Sequence, residues 1–342
     1  MLKQNFFPIC GGTHGNRTGA NTDSRIRPRK QWDDDGVAST VGTIMAMMVF
    51  LAFLSMFTSQ YVPVWMEENE ASHMALAYGQ FASLKQAVDM QILAGTIQGT
   101  SPVQMFSPVR LGADGIPMFA SPTPGYLSVQ RAASYDNVSF SFNTSASVMD
   151  IPSNTGGTIK LRAPNRYYIE QELAYENDAL IIKQPDGQYM KATSQFVVTP
   201  TGGGLYHISY GQVDLRGDDT DYIGYGTRGV STAMKSTTTT TYTNITNTSG
   251  AMYPFLCISH TTLYERAWNA SFNQTLSGAG LAWGPDFSNS NTDYVLTSTL
   301  RSNPSSLDKL WEVKVLIRPD IVSSFSLTIA YIEISTSELG AE

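Results

Sequence analysis

No charged side chain occurs between Val37 and Met66, a run that opens directly after Asp33-Asp34-Asp35-Gly36. About 20 apolar residues suffice for a helix to cross the hydrocarbon core of a bilayer, so the run predicts a transmembrane helix over 37–65 with residues to spare. Beyond it the pattern changes. Glu67, Glu68 and Glu70 lead into Ala71, Met74, Tyr78, Phe81, Lys85, Val88 and Ile92, spaced three and four apart. That is the stripe of an amphipathic helix over 66–100, with Lys85 its one polar interruption. Such a stripe must be covered, by the chain's own domain or by a neighbouring subunit. Pro63 lacks an N–H and predicts a kink around Ser59–Pro63. Gly95, Gly99 and Pro102 end a helix that would run roughly 85 Å from Val37 at about 1.5 Å per residue.

Strand signals dominate after a Pro- and Gly-rich extended crossover, Ser101–Pro124. Asn137–Thr144, Thr158–Arg162, Ala179–Gln184, Tyr189–Val198 and Leu205–Leu215 read as strands, with turns at Pro185-Asp186-Gly187 and Gly202-Gly203-Gly204. Leu310–Arg318 and Ser324–Ser335 read as a final hairpin about Pro319-Asp320. One helix, Thr262–Leu276, interrupts the pattern, with Leu263, Ala267, Phe272 and Leu276 near one side. The Ser/Thr-rich tract at 236–249 has too little apolar surface to order itself and is expected to be a loop. The fold class expected is α+β: a long N-terminal helix, transmembrane and then amphipathic, followed by a β-rich, sandwich-like extracellular domain over 101–342. One composite domain is favoured over two lobes.

Charge gives the span a direction. Residues 1–36 hold six basic and four acidic side chains, the remainder 16 basic and 25 acidic. Arg25, Arg27, Arg29 and Lys30 keep the leader, 1–36, on the cytoplasmic side and place the C-terminal domain outside, in a single-pass topology. The acidic remainder lacks the basic stripe that phosphate binding requires, so nucleic acid is excluded as a partner. Cys10 lies in the leader and Cys257 far downstream, which excludes a disulfide framework in any form that has lost the leader. The hydrophobic run is too long for an ordinary secretory signal and has no small-residue cleavage site after it. An uncleaved signal-anchor and a leader cut before the helix both remain open.

The stretch Gly36-Val37-Ala38-Ser39-Thr40-Val41-Gly42-Thr43-Ile44-Met45 resembles the start of archaeal type IV pilins and pilin-like surface proteins. The resemblance implies cleavage by a prepilin peptidase between Gly36 and Val37, and assembly of the hydrophobic helix with like subunits into a surface filament. Val41 stands where bacterial pilins carry Glu, and three aspartates stand where basic residues are common. Within the helix, Ala38, Gly42 and Ala46 recur four apart, small residues that permit close helix approach.

Asn-x-Ser/Thr sequons at Asn137, Asn143, Asn244, Asn247, Asn269 and Asn273 fall on the expected outer side and are candidate glycosylation sites. Asn269 and Asn273 sit one helical turn apart, so both are expected to face outward. Asp218, Asp219 and Asp221 are weak candidates for a cation, because the ligand ladder and closing Glu of a calcium loop are missing. No nucleophile elbow, zinc helix or phosphate loop occurs, so no catalytic residue, metal or cofactor is assigned and the chain reads as a non-enzyme. The function expected is a pilin-like structural subunit of an archaeal filament, in an adhesive role if a surface glycan or cell partner exists. The alternative is an uncleaved membrane-anchored binding protein displaying its β-domain.

Overall fold

A computed structural model of the protein describes residues 34–96, 103–131, 137–145, 147–151, 156–246, 254–301 and 309–338. The chain divides into two units, Met1–Ser55 and Met56–Glu342. In the first, helix α1 spans Asp34–Met56, and it belongs to a helix long and apolar enough to cross a membrane. In the second, a π-helical turn, Phe57–Tyr61, precedes helix α2, Val62–Thr96. The π turn is the form taken by the irregularity expected at Pro63. With no N–H at 63 and a ring that would press on the carbonyl of residue 59, the ladder shifts register, and the Val62 N–H donates to the Phe57 carbonyl five residues back.

A strand-rich domain follows, giving the α+β layout expected. Its first sheet has the order β1 (Gln104–Arg110), β12 (Thr227–Thr243), β16 (Val322–Glu338), β10 (Leu205–Gly217), β9 (Phe196–Gly202). The second runs β11 (Thr220–Gly224), β2 (Gly125–Arg131), β5 (Gly157–Ala163), β6 (Gln171–Glu176), β7 (Ala179–Gln184), β8 (Gly187–Ala192). The third runs β14 (Tyr294–Leu300), β15 (Trp311–Ile317), β13 (Leu256–Thr262), β3 (Asn137–Asn143), β4 (Val148–Ile151). Helix α3 spans Glu265–Gly278. All pairs are antiparallel except β10 with β16, which are parallel over Tyr206–Gly217.

That parallel pair serves two cores. Its first halves turn Ile208, Tyr210, Phe325 and Leu327 into a core shared with β3, β13, β15 and α3. Its second halves turn Val213, Leu215, Ala330 and Ile332, from the opposite face, into a core shared with α2, β2, β5 and β6. The amphipathic stripe of α2 is therefore covered by the chain's own domain: Met74, Phe81, Val88 and Ile92 all lie in the second core.

Several local expectations fail. Residues 104–110, taken as crossover, form an edge strand, and Pro108 is tolerated because an edge strand leaves one row of N–H groups unpaired. Tyr189–Val198 is two strands, since the chain changes sheets between Ala192 and Phe196. The final pair is no hairpin: β15 and β16 lie in different sheets, and a 3-10 turn at Pro319–Ile321 carries the chain between them. Helix α3 starts at Glu265 because Thr262 still pairs in β13.

The largest correction concerns the tract at 236–249. Residues 236–243 are strand, paired with β16 as far as Thr243↔Ser324, while 247–249 lie outside the described residues. Threonine is β-branched and suits a strand. Backbone ladder bonds and cross-strand hydroxyl pairs, Thr239 with Thr328 at 3.0 Å and Thr241 with Ser326 at 2.8 Å, order it without apolar burial.

Candidate functional site

The candidate features are two, the apolar helix of the first unit and the polar attachments of α2 within the second. From Ser39 to Met56 every residue is exposed except Leu54, which is half-exposed. Gly42 and Ala46 are among the exposed positions, and a Cβ added at Gly42 would meet nothing within 4 Å. Gly36, Val37 and Ala38 lie on the helical backbone of α1. Residues 1–33 of the leader lie outside the described residues.

Four polar side chains of α2 fasten it to the domain. Glu70 is fully buried, and its carboxylate accepts the Thr123 hydroxyl at 2.7 Å and the backbone N–H groups of Arg166, Tyr167 and Tyr168 at 3.1, 2.8 and 2.8 Å. Burial alone would push its pKa up, but these donors favour the charged form and hold it below the ordinary value. His73 Nε2 lies 3.1 Å from the Arg110 carbonyl. A carbonyl only accepts, so this nitrogen carries the proton, and burial lowers the ring's pKa and keeps it neutral. Gln80 accepts the Arg110 N–H at 2.9 Å, so the helix satisfies backbone groups on the otherwise open edge of β1. Gln91 donates to the carbonyls of Val103 and Thr232 at 2.9 and 2.7 Å.

Lys85, the interruption in the stripe, points at a second acid. Asn177 and Asp178 both have positive φ, 44° and 62°, in the two-residue turn between β6 and β7. The turn brings buried Asp178 to 2.9 Å from Lys85 Nζ, which also bonds Asp89 at 3.0 Å. Burial raises the Asp178 pKa to about 7, Lys85 opposing the rise and Asp89 adding to it. An aromatic group stands at the start of this unit. The Phe57 ring lies 5.8 Å from Tyr61, 5.6 Å from Trp65 and 5.2 Å from Phe119.

No family model, curated protein or solved structure matches this chain.

The sequons separate by environment. Asn137 and Asn244 are exposed. Asn143 is buried, which withdraws it as a glycan acceptor in the folded chain. Asn247 lies outside the described residues. Asn269 and Asn273 do share a face, but that face lines a groove of about 670 Å³ between α3 and β14, together with Glu265, Ser277, Trp283 and Tyr294. Asn273 Oδ1 accepts the Tyr294 hydroxyl at 2.6 Å. Asp218, Asp219 and Asp221 do not converge: among the described residues no group of three His, Cys, Asp or Glu side chains is placed to hold a metal. Asp219 instead accepts the Arg131 N–H at 2.8 Å.

Sequence reasoning also missed a further buried acid. Glu176 accepts the Thr262 hydroxyl at 2.5 Å and the Trp268 indole N–H at 2.6 Å, with His260 Nε2 at 3.5 Å. This group joins β6, β13 and α3. Both Glu176 and His260 are fully enclosed, and burial presses the His260 pKa down to about 4, so the ring is neutral. The joint is structural: enclosed side chains have no access to a substrate.

Proposed function

We propose that the chain is a pilin-like structural subunit of an archaeal surface filament. Prepilin peptidase cuts it between Gly36 and Val37, and like subunits then pack through the apolar helix, Ala38, Gly42 and Ala46 permitting close approach. The observation that carries this reading is the division of labour along the helix. The amphipathic half is consumed by the chain's own core, whereas the apolar half from Ser39 to Met56 is exposed, Leu54 half-exposed. A surface of that kind suits lipid before assembly and neighbouring helices after it. On this reading the protein is a single-pass membrane protein with its β-domain outside, moving into a filament after the cut.

The alternative, an uncleaved anchored binding protein, draws support from the groove beside α3, where exposed Trp283 stands among Asn269, Asn273 and Glu265. The N-terminal residue of the protein isolated from cells separates the two. A mature chain starting at Val37 is expected, and a chain retaining Lys3 to Arg29 rejects the filament reading. Gly36→Val, which denies the peptidase a small residue, is expected to leave precursor in the membrane and abolish surface filaments.

A further inference from the structure

The first turns of the second unit carry an uncovered apolar surface that the domain's own packing does not explain. Residues 113–123 form a hairpin closed by the bridges Ala113↔Thr123 and Ile116↔Ala120. It lies along the helix: Thr123 at its base meets Glu70, Asn69 donates to the Asp114 carbonyl at 3.4 Å, and Phe119 near its tip packs edge-on against Phe57. Between residues 70 and 57 the helix rises roughly 20 Å. At the tip Met118 is 99% exposed with φ of 67°, a backbone conformation that glycine or asparagine adopts far more readily. Phe119 beside it in the chain, and Tyr61, Val64 and Trp65 on the helix, are also exposed.

Charge marks a boundary on both elements. The hairpin carries none from Gly115 to Gly125, and the helix none from Phe57 to Met66. Charges begin at Asp114, ion-paired with Arg110, and at Glu67 and Glu68, and the Asn69 to Asp114 bond places those two onsets side by side. Two segments about 50 residues apart therefore become uncharged at the same level and in the same direction. The helical side of that level is the end of the uncharged run that began at Val37.

We propose that this surface is a bilayer-interface anchor, with the hairpin tip Ile116–Phe119 and the rings of Phe57, Tyr61 and Trp65 seated in the headgroup region. Aromatic rings concentrate at that depth because one part of each is apolar and another polar. An aliphatic tip beside them adds apolar area to the same contact. The anchor fixes the domain against the membrane at a set depth. It rests on the reading that the apolar helix spans a bilayer, and it is independent of cleavage at Gly36 and of filament assembly.

The test uses the full chain in phosphatidylcholine vesicles, in a Cys10→Ser, Cys257→Ser background. An environment-sensitive fluorophore is placed on Met118→Cys, or on Asp186→Cys in the exposed turn between β7 and β8 as a control. The label at 118 is expected to emit to the blue of the one at 186. It should also lose intensity to lipids brominated high on the acyl chain, while the control does not. A label at 118 that matches the control, on protein that floats with the vesicles, overturns the anchor alone. Protein that fails to float overturns the spanning helix and the anchor with it. A label wet in vesicles and protected only in assembled filaments assigns the surface to a second copy, and likewise overturns the proposal.

Discussion

Helices α1 and α2 follow one another along the chain and solve the problem of apolar surface in opposite ways. Helix α1 carries exposed apolar residues from Val41 to Met56, and its Thr43 hydroxyl donates back to the Thr40 carbonyl of the same helix. Helix α2 buries one apolar stripe and puts a polar side chain at intervals along it, each matched to a group of the domain: Glu70 to three backbone N–H groups, His73 to a carbonyl, Lys85 to Asp178, Gln91 to two carbonyls. A buried polar group is costly unless paired, so these contacts admit only one seating of the helix. The exposed, non-directional surface of α1 is long and apolar enough to cross a membrane. The directional surface of α2 suits permanent attachment.

Truncation should expose the contrast most strongly. Phe81→Ala empties the covered core and is expected to destabilise the domain by about 3–5 kcal/mol. Phe50→Ala, removing the same ring from α1, should leave domain unfolding unchanged within about 0.5 kcal/mol. Denaturant unfolding of both variants in one detergent checks the pair, and equal losses would erase the distinction. A smaller difference is expected within α2. Glu70→Ala strands three backbone donors and the Thr123 hydroxyl, at a cost of roughly 3 kcal/mol, whereas exposed Glu68→Ala should change stability by less than about 0.5 kcal/mol.

What was legible follows the range over which each cause acts. Helix α1 is written in local composition, and the stripe Met74, Phe81, Val88, Ile92 in local period, so both could be read from the chain alone. Glu70 was harder. Met66, Glu70, Met74, Ala77, Phe81, Leu84 and Val88 keep the three-and-four spacing, which puts Glu70 on the buried face. Its partners at 166–168 are almost 100 residues away, and no local pattern names them. The same limit explains the strand at 236–243, whose order depends on pairing with β16, and the false hairpin at β15 and β16, where a turn signal does not say which sheet the chain enters next. For the candidate site, the Gly36-Val37 junction rests on a sequence resemblance alone, and the structure shows of it only helical backbone. The surface of Phe57, Trp65 and Phe119 was not legible, because a hairpin had to fold back along the helix to make it.

The smallest effect expected is one of pH, and it asks whether the seam of α2 is electrostatically distinct from the rest of the core. Asp178 takes up its proton at about 7 in the folded chain, where burial outweighs Lys85 and where Asp89 and Tyr175 also face it, against 3.8 for an ordinary aspartate. Between these values the folded state holds more protons than the unfolded, so this contribution is full below the lower one and is lost as pH rises through 7. His260, facing Glu176 across the joint of β6, β13 and α3, has the reverse sense. Its folded pKa of about 4 lies below the ordinary 6.5, so its contribution is full above 6.5 and is lost as pH falls toward 4. In the parent the two slopes oppose one another over that shared range. Asp178→Asn should leave a chain that loses stability on acidification more steeply than the parent, and His260→Gln one that loses it less steeply, each by on the order of 1 kcal/mol. Unfolding midpoints from pH 4 to 8 give both differences. Amide exchange of α2 then decides the comparison, because only Asp178→Asn touches the seam: its protection should change with pH in that variant and follow the parent in the other.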